Sequence, residues 1–152
     1  MKVKSWIAYL SLVFFQSTYA QALSPVGIWK TIDDVTGAPK AIVKISQTDD
    51  HTLVGQIEKV FPKDDGEQTL KVCKACTGER HNKPIIGMMI LWGLKQNIAK
   101  QKEWLGGEIL DPKNGKTYHS IIRLTDNDQK LNVRGYIGMP LFGRTQTWLR
   151  VN

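Results

Sequence analysis

From residue 26 onward, apolar and polar positions alternate in short runs separated by turn-forming clusters, at roughly the ten-residue spacing of all-β sandwiches and barrels. No run carries a strong helical period. Eight runs are predicted as strands: 26–33, 40–47, 52–61, 85–94, 104–110, 116–124, 130–139 and 144–151. In the second, Ala41, Val43 and Ile45 alternate with Ile42, Lys44 and Ser46, a period of two whose apolar side is only moderately distinct. In the third, Leu53, Ile57 and Phe61 share a side opposite Gln56 and Glu58, and Gly55 marks a bend or bulge. The fourth run is apolar throughout, from Ile85 to Trp92, and reads as a strand buried on both faces in preference to a short helix. The polar stretch 96–102 is compatible with a turn of helix. In the seventh run Leu131, Val133, Ile137 and Met139 fall together, which turns Arg134 and Tyr136 outward. The eighth divides Arg144, Gln146, Trp148 and Arg150 from Thr145, Thr147, Leu149 and Val151, and neither row is plainly the core.

Most connections are short and have turn chemistry, as in Gly37 with Pro39, and Pro112 followed by Asn114-Gly115. The exception is 62–83, a long irregular stretch that holds both cysteines. The last two runs form a hairpin around a Pro/Gly turn. The final strand ends Trp148-Leu149-Arg150 and the first begins Gly27-Ile28-Trp29, so the two aromatic strands can pair and close a sheet. The expected fold is a single all-β domain, an antiparallel eight-stranded up-and-down barrel, because closure removes the exposed edges of an open sheet. A β-sandwich is the alternative. A barrel of this strand number has room for its own side chains or for one small ligand. Glycines at 55, 87, 106, 107, 135 and 138 lie within strands, where barrels use them to bend.

Residues 1–20 have a basic start, an apolar run from Trp6 to Phe15 and a small-residue end at Ala20, the plan of a secretory signal peptide. The apolar run is short for a membrane span, which needs about 20 residues. Cleavage leaves residues 21–152 as one domain, soluble, without a membrane span and placed in the periplasm or outside the cell. The formal charge of +7 falls to +5, since Lys2 and Lys4 leave. Export removes nucleic acid as a partner, leaving anionic lipid, polysaccharide or simple solubility as the meaning of the positive charge.

Cys73 and Cys76 are the only cysteines. In an oxidising compartment they are expected to form a structural disulfide. The rivals are a redox-active dithiol, favoured by nearby Lys71, Lys74 and Arg80, and a zinc site with His81. The first lacks a βαβ setting, and the second lacks a ligand set, since His51 and His119 have no metal spacing. No catalytic constellation is visible: no serine has a Gly-x-Ser-x-Gly setting, and most carboxylates cluster in turns, where aspartate serves the backbone. Glu58 and Glu108 are mid-strand exceptions, expected to face water. No enzyme activity, cofactor or metal is therefore expected.

Five motifs occur in order: Ser24-Pro-Val-Gly-Ile-Trp-Lys-Thr31, Cys73-Lys-Ala-Cys-Thr-Gly-Glu79, Pro84-Ile-Ile-Gly87, Gly107-Glu-Ile-Leu-Asp-Pro112 and Arg134-Gly-Tyr-Ile-Gly138. Together they resemble a bacterial exported family, domain of unknown function 2147. The resemblance implies export and a β-rich single domain, and carries no established activity. Only the segment 95–103 departs, being longer and less turn-like than the pattern. Gly27-Ile28-Trp29 also resembles the first strand of lipocalin-type barrels, in which a late arginine packs across the tryptophan. Arg150, or failing that Arg144, is the candidate. The fold and the missing catalytic set point to non-enzymatic binding of a small, partly apolar ligand in the barrel mouth. The residues expected to contact it are Trp29, Arg134, Tyr136, Arg144, Gln146 and Trp148; the alternative is an exposed polar row with Trp148 plugging a barrel end. Two further alternatives are an envelope module that binds protein or polysaccharide, and a Cys-x-x-Cys redox factor.

Overall fold

The computed structural model describes residues 24–62 and 71–151. The expected signal peptide lies outside the described residues. Eight strands run in sequence order around a closed barrel: β1 (Gly27–Ile32), β2 (Pro39–Gln47), β3 (Leu53–Val60), β4 (Met89–Asn97), β5 (Lys100–Asp111), β6 (Lys116–Thr125), β7 (Lys130–Tyr136) and β8 (Gly143–Val151). Every neighbouring pair is antiparallel. Closure is made by β1 on β8, with Trp29 opposite Arg150 and Thr31 opposite Trp148.

Of the strand phases read from alternation, those of 40–47 and 52–61 hold through Ala41, Val43 and Ile45 and through Leu53 and Ile57, and that of 130–139 holds at Leu131 and Val133, all of them buried. In β6, Ile122 and Leu124 are buried as well. These rows form one apolar core with Trp29, Leu91, Leu94 and Trp148. Gly107 shows why glycine bends this barrel: a β-carbon there would lie 2.5 Å from the Leu94 side chain and 2.6 Å from the Trp92 carbonyl oxygen. The β4 and β5 backbones approach too closely for any side chain.

Three local expectations are corrected. The run 85–94 is not one strand: β4 begins at Met89. Ahead of it, the Ile85 N–H donates to the Lys71 carbonyl and the Gly87 N–H to the Ile57 carbonyl, so this stretch braces the irregular segment, with Ile85 and Met88 packed in the core. The polar stretch 96–102 contains no helix; it is a tight β4–β5 hairpin in which Asn97 pairs with Lys100. Ladder pairing with long neighbouring strands decides its conformation, which local propensity left open. Finally, β7 stops at Tyr136, and Ile137 and Met139 are exposed in the turn that follows, where Gly138 takes φ +69°.

The barrel's closed end is plugged as the lipocalin resemblance implied. The Trp29 indole N–H donates to the Pro25 carbonyl at 2.8 Å. The Arg150 guanidinium lies 4.3 Å from the ring centroid and donates to the carbonyls of Asp128 (2.8 Å), Ser24 (2.9 Å) and Val26 (3.1 Å). Beside this end, Glu103 is buried with Arg123 and Asn97 as partners.

Candidate ligand-binding cavity

At the opposite end, the described parts of four connections surround an opening: 33–38, 61–62 with 71–88, 112–115, and 137–142. Between them lies a cavity of about 860 Å³. Its apolar lining includes Val43, Ile57, Ile90, Ile109, Val133 and Trp148. Its polar lining includes Lys40, Lys113, Asn114, Tyr118, Arg144 and Gln146. The inward rows of adjacent strands bring these together: Ile109 is the cross-strand partner of Tyr118, and Val133 that of Gln146.

Four charged groups at the mouth, Asp33, Asp34, Lys40 and Arg144, are held in two pairs. Arg144 makes a two-pronged ion pair with Asp34 across the β1–β8 seam. That hydrogen bond holds the Asp34 carboxyl below its usual range and the Arg144 guanidinium above its own. The backbone N–H groups of Thr36 and Val35 lower Asp33, with Lys40 3.8 Å from its carboxylate as a weaker contributor. Both carboxylates are therefore ionised at neutral pH. Within the lining, Asn114 donates to the Tyr118 hydroxyl at 3.0 Å, which leaves the phenolic proton free to donate elsewhere. The buried Trp148 indole N–H has no hydrogen-bond partner among the described residues, and the same holds for Ser120 Oγ.

The six residues singled out from sequence separate. Arg144, Gln146 and Trp148, consecutive inward positions of β8, line the cavity with Tyr136. Tyr136 sits at the rim, its ring 5.5 Å from that of His119. Trp29 is fully buried beneath Arg150 at the closed end and is not part of the lining. Arg134 also lies away from the cavity and bonds the 137–142 turn. The wall residues Val43, Ile57 and Val133 were legible as core positions but not as cavity lining, because alternation separates inside from outside and is silent on how full the inside is. Phe61, placed in a strand by its phase, follows β3 and reaches the mouth.

Cys73 and Cys76 form a disulfide, so neither is free to hold zinc with His81. Among the described residues no group of three His, Cys, Asp or Glu is placed to hold a metal ion. The disulfide segment is built into the mouth. The Cys73 N–H donates to the Lys83 carbonyl and the Asn82 N–H to the Cys73 carbonyl, both at 2.9 Å. Gly115 packs against it so closely that a β-carbon would lie 1.9 Å from the Ala75 carbonyl oxygen. Glu58 is exposed, while Glu108 accepts a hydrogen bond from the Trp92 indole at 2.9 Å.

Comparison with known proteins supports this architecture. The solved structure of "Protein HP1028 from the human pathogen Helicobacter pylori", described as belonging to the lipocalin family, is similar to this chain with a TM-score of 0.68 and 19% identity, covering 84% of this chain and 82% of that one. At that identity the likeness establishes the fold: a lipocalin-like barrel. No curated protein matches the chain. Residues 27–150 match the model of a family described as an uncharacterised protein conserved in bacteria (DUF2147), and the chain belongs to that family.

Proposed function

We propose that the barrel binds one small, partly apolar molecule at its open end and does not convert it chemically. The observation that carries this reading is the cavity of about 860 Å³, walled by aliphatic side chains and Trp148. Small-molecule sites span about 300–1,000 Å³ and combine apolar walls with a few placed polar groups. Tyr118 and Gln146 are such groups, suited to a ligand with one polar end. Tyr136, Arg144, Gln146 and Trp148 form the contact set; Trp29 and Arg134 serve the barrel's ends.

Export to the periplasm or beyond is part of this reading. A disulfide at Cys73 and Cys76 suits an oxidising compartment. Burial of both sulfur-bearing residues, at 0% and 3% exposure, argues against a redox factor, because an attacking thiolate needs access.

The test is a fluorescence titration of the protein lacking residues 1–20 with N-phenyl-1-naphthylamine, an apolar probe that brightens when shielded from water. Wild type is expected to bind saturably. Gln146→Trp, which fills the cavity from β8, is expected to weaken binding at least about tenfold, or 1.4 kcal/mol. Equal binding by the variant, or no binding by wild type, refutes the reading.

A further inference from the structure

The mouth of the cavity is close to electrically balanced. Its charged lining residues are Asp33, Asp111, Lys40, Lys113 and Arg144, and Asp34 is bound to Arg144 beside them. Lys40 lies 3.8 Å from the Asp33 carboxylate. Lys113 is exposed in the 112–115 turn, and the Asp111 carboxylate accepts its backbone N–H at 2.9 Å. Carboxylates and cations therefore match. In sequence the β3–β4 connection is nearly matched too, with Lys63, Lys71, Lys74, Arg80 and Lys83 against Asp64, Asp65, Glu67 and Glu79. Neither sign dominates, so there is little field to draw an ion inward.

Deeper in, a polar side chain interrupts the apolar wall. Gln146 stands between Arg144 and Trp148 on the inward row of β8, and its ladder partner Val133 is itself paired with Ile122. Its amide has no hydrogen-bond partner among the described residues, yet it is only half-buried, and the polar atoms sealed without a partner are those of Ser120 and Trp148 instead. The space that keeps the amide accessible is the cavity it lines. Thr31, another polar lining residue, differs, since its hydroxyl oxygen accepts the Ala41 N–H at 3.0 Å. Gln146 thus offers an unengaged N–H donor and an unengaged carbonyl acceptor to whatever fills the barrel.

We infer that the ligand is uncharged, and that a neutral group able both to donate and to accept, such as a hydroxyl or an amide, bonds the Gln146 side chain within the cavity. The inference rests on the cavity reading and adds the class of molecule. A carboxylate at the depth of Gln146 would lose its hydration while the nearest cation on β8, Arg144, already holds Asp34. An ammonium there would meet only the amide. Burying either ion without a partner is heavily unfavourable. An amphiphile that kept its charge at the mouth would lay methylenes against the amide and leave it unpaired, which forfeits the hydrogen bond that a hydroxyl supplies.

The experiment is displacement of N-phenyl-1-naphthylamine from the protein lacking residues 1–20 by 1-decanol, decanoate and decylammonium, at pH 8 and below the aggregation limit of each. Wild type is expected to release the probe to decanol at a concentration at least about tenfold lower than for either ion. Decanol is also the least water-soluble of the three, so a variant isolates the hydrogen bond. Gln146→Leu removes the amide at similar volume and should shrink the decanol margin over both ions at least about fivefold. Gln146→Met serves where circular dichroism shows that leucine disturbs the barrel. A smaller margin in wild type overturns the inference, as does a margin that the substitution leaves unchanged; in both cases the probe still binds and the cavity reading stands. Failure of the probe to bind wild type refutes that reading and the inference together.

Discussion

Replacing Arg150 by alanine tests the plug at the closed end. The guanidinium contributes a stack on Trp29, two half-buried hydrogen bonds to the Asp128 and Ser24 carbonyls, and one exposed bond to the Val26 carbonyl. The stack contributes about 1–2 kcal/mol when partly desolvated. Each half-buried hydrogen bond adds about 1 kcal/mol, and the exposed one little, since water replaces it. The expected loss is about 3–4 kcal/mol. For a domain of this size that is a fall of roughly 8–15 °C in thermal midpoint. Urea unfolding of wild type, Arg150→Ala and Arg150→Lys measures it, with an unchanged m-value confirming the same native state. Lysine keeps the charge but cannot serve three carbonyls with a planar fork, so it should recover less than half of the loss. A double-mutant cycle with Trp29→Leu should return a coupling of about 0.5–2 kcal/mol. A loss below about 0.5 kcal/mol for Arg150→Ala would refute the assignment of Arg150 as the plug.

Other expectations follow from the same contacts. The Arg123 hydrogen bond, followed by that of Asn97, holds Glu103 below its ordinary value of 4.5. Its contribution is therefore complete above about pH 4.5 and lost as the pH falls through the depressed folded value. Glu103→Gln should flatten that acid limb in urea midpoints measured across pH 3–6, and a limb identical to wild type would discount the pair. Gly115→Ala meets the Ala75 carbonyl and also requires φ +72°, so it should destabilise by about 1–3 kcal/mol and speed amide exchange in 71–83; exchange limited to the 112–115 turn would contradict the packing. Cys73→Ser with Cys76→Ser opens a four-residue loop and should lower stability by about 2 kcal/mol while far-ultraviolet circular dichroism keeps the barrel signature. Collapse of that signature would mean that the bridge holds more than its own segment.

The closing hairpin and the first strand show how much was legible in the chain. Strand number, order and antiparallel closure follow from apolar rows of period two and from Gly, Pro and Asn at the turns, both of which are local signals. The match of Gly27-Ile28-Trp29 with Trp148-Leu149-Arg150 placed the seam, and the arginine that covers Trp29 is Arg150. Legibility failed where the pattern lost contrast. Residues 85–88 are as apolar as a strand, yet their backbone groups bond to Lys71 and Ile57, a choice that depends on a segment far away in sequence. The hairpin at 97–100 is polar on both sides, so no phase could be read there.

The candidate site divides in the same way. The inward row of β8, Arg144 with Gln146 and Trp148, could be listed from alternation, but its facing inward rests on Val133 and Thr31 as ladder partners. Arg134 illustrates the limit, because the sequence marks it as a polar residue on a closing strand, and only the turn 137–142 folding back supplies carbonyls for it to hold. By itself the sequence determined eight antiparallel strands and the pairing of the aromatic ends, and it favoured a barrel over a sandwich and a disulfide over its rivals, since these depend on residue type at short, regular spacing. The tertiary structure decided which end is plugged and how much of the interior stays empty. Those properties arise from side chains on strands far apart in sequence meeting, or failing to meet, across the barrel, and no local period encodes that distance.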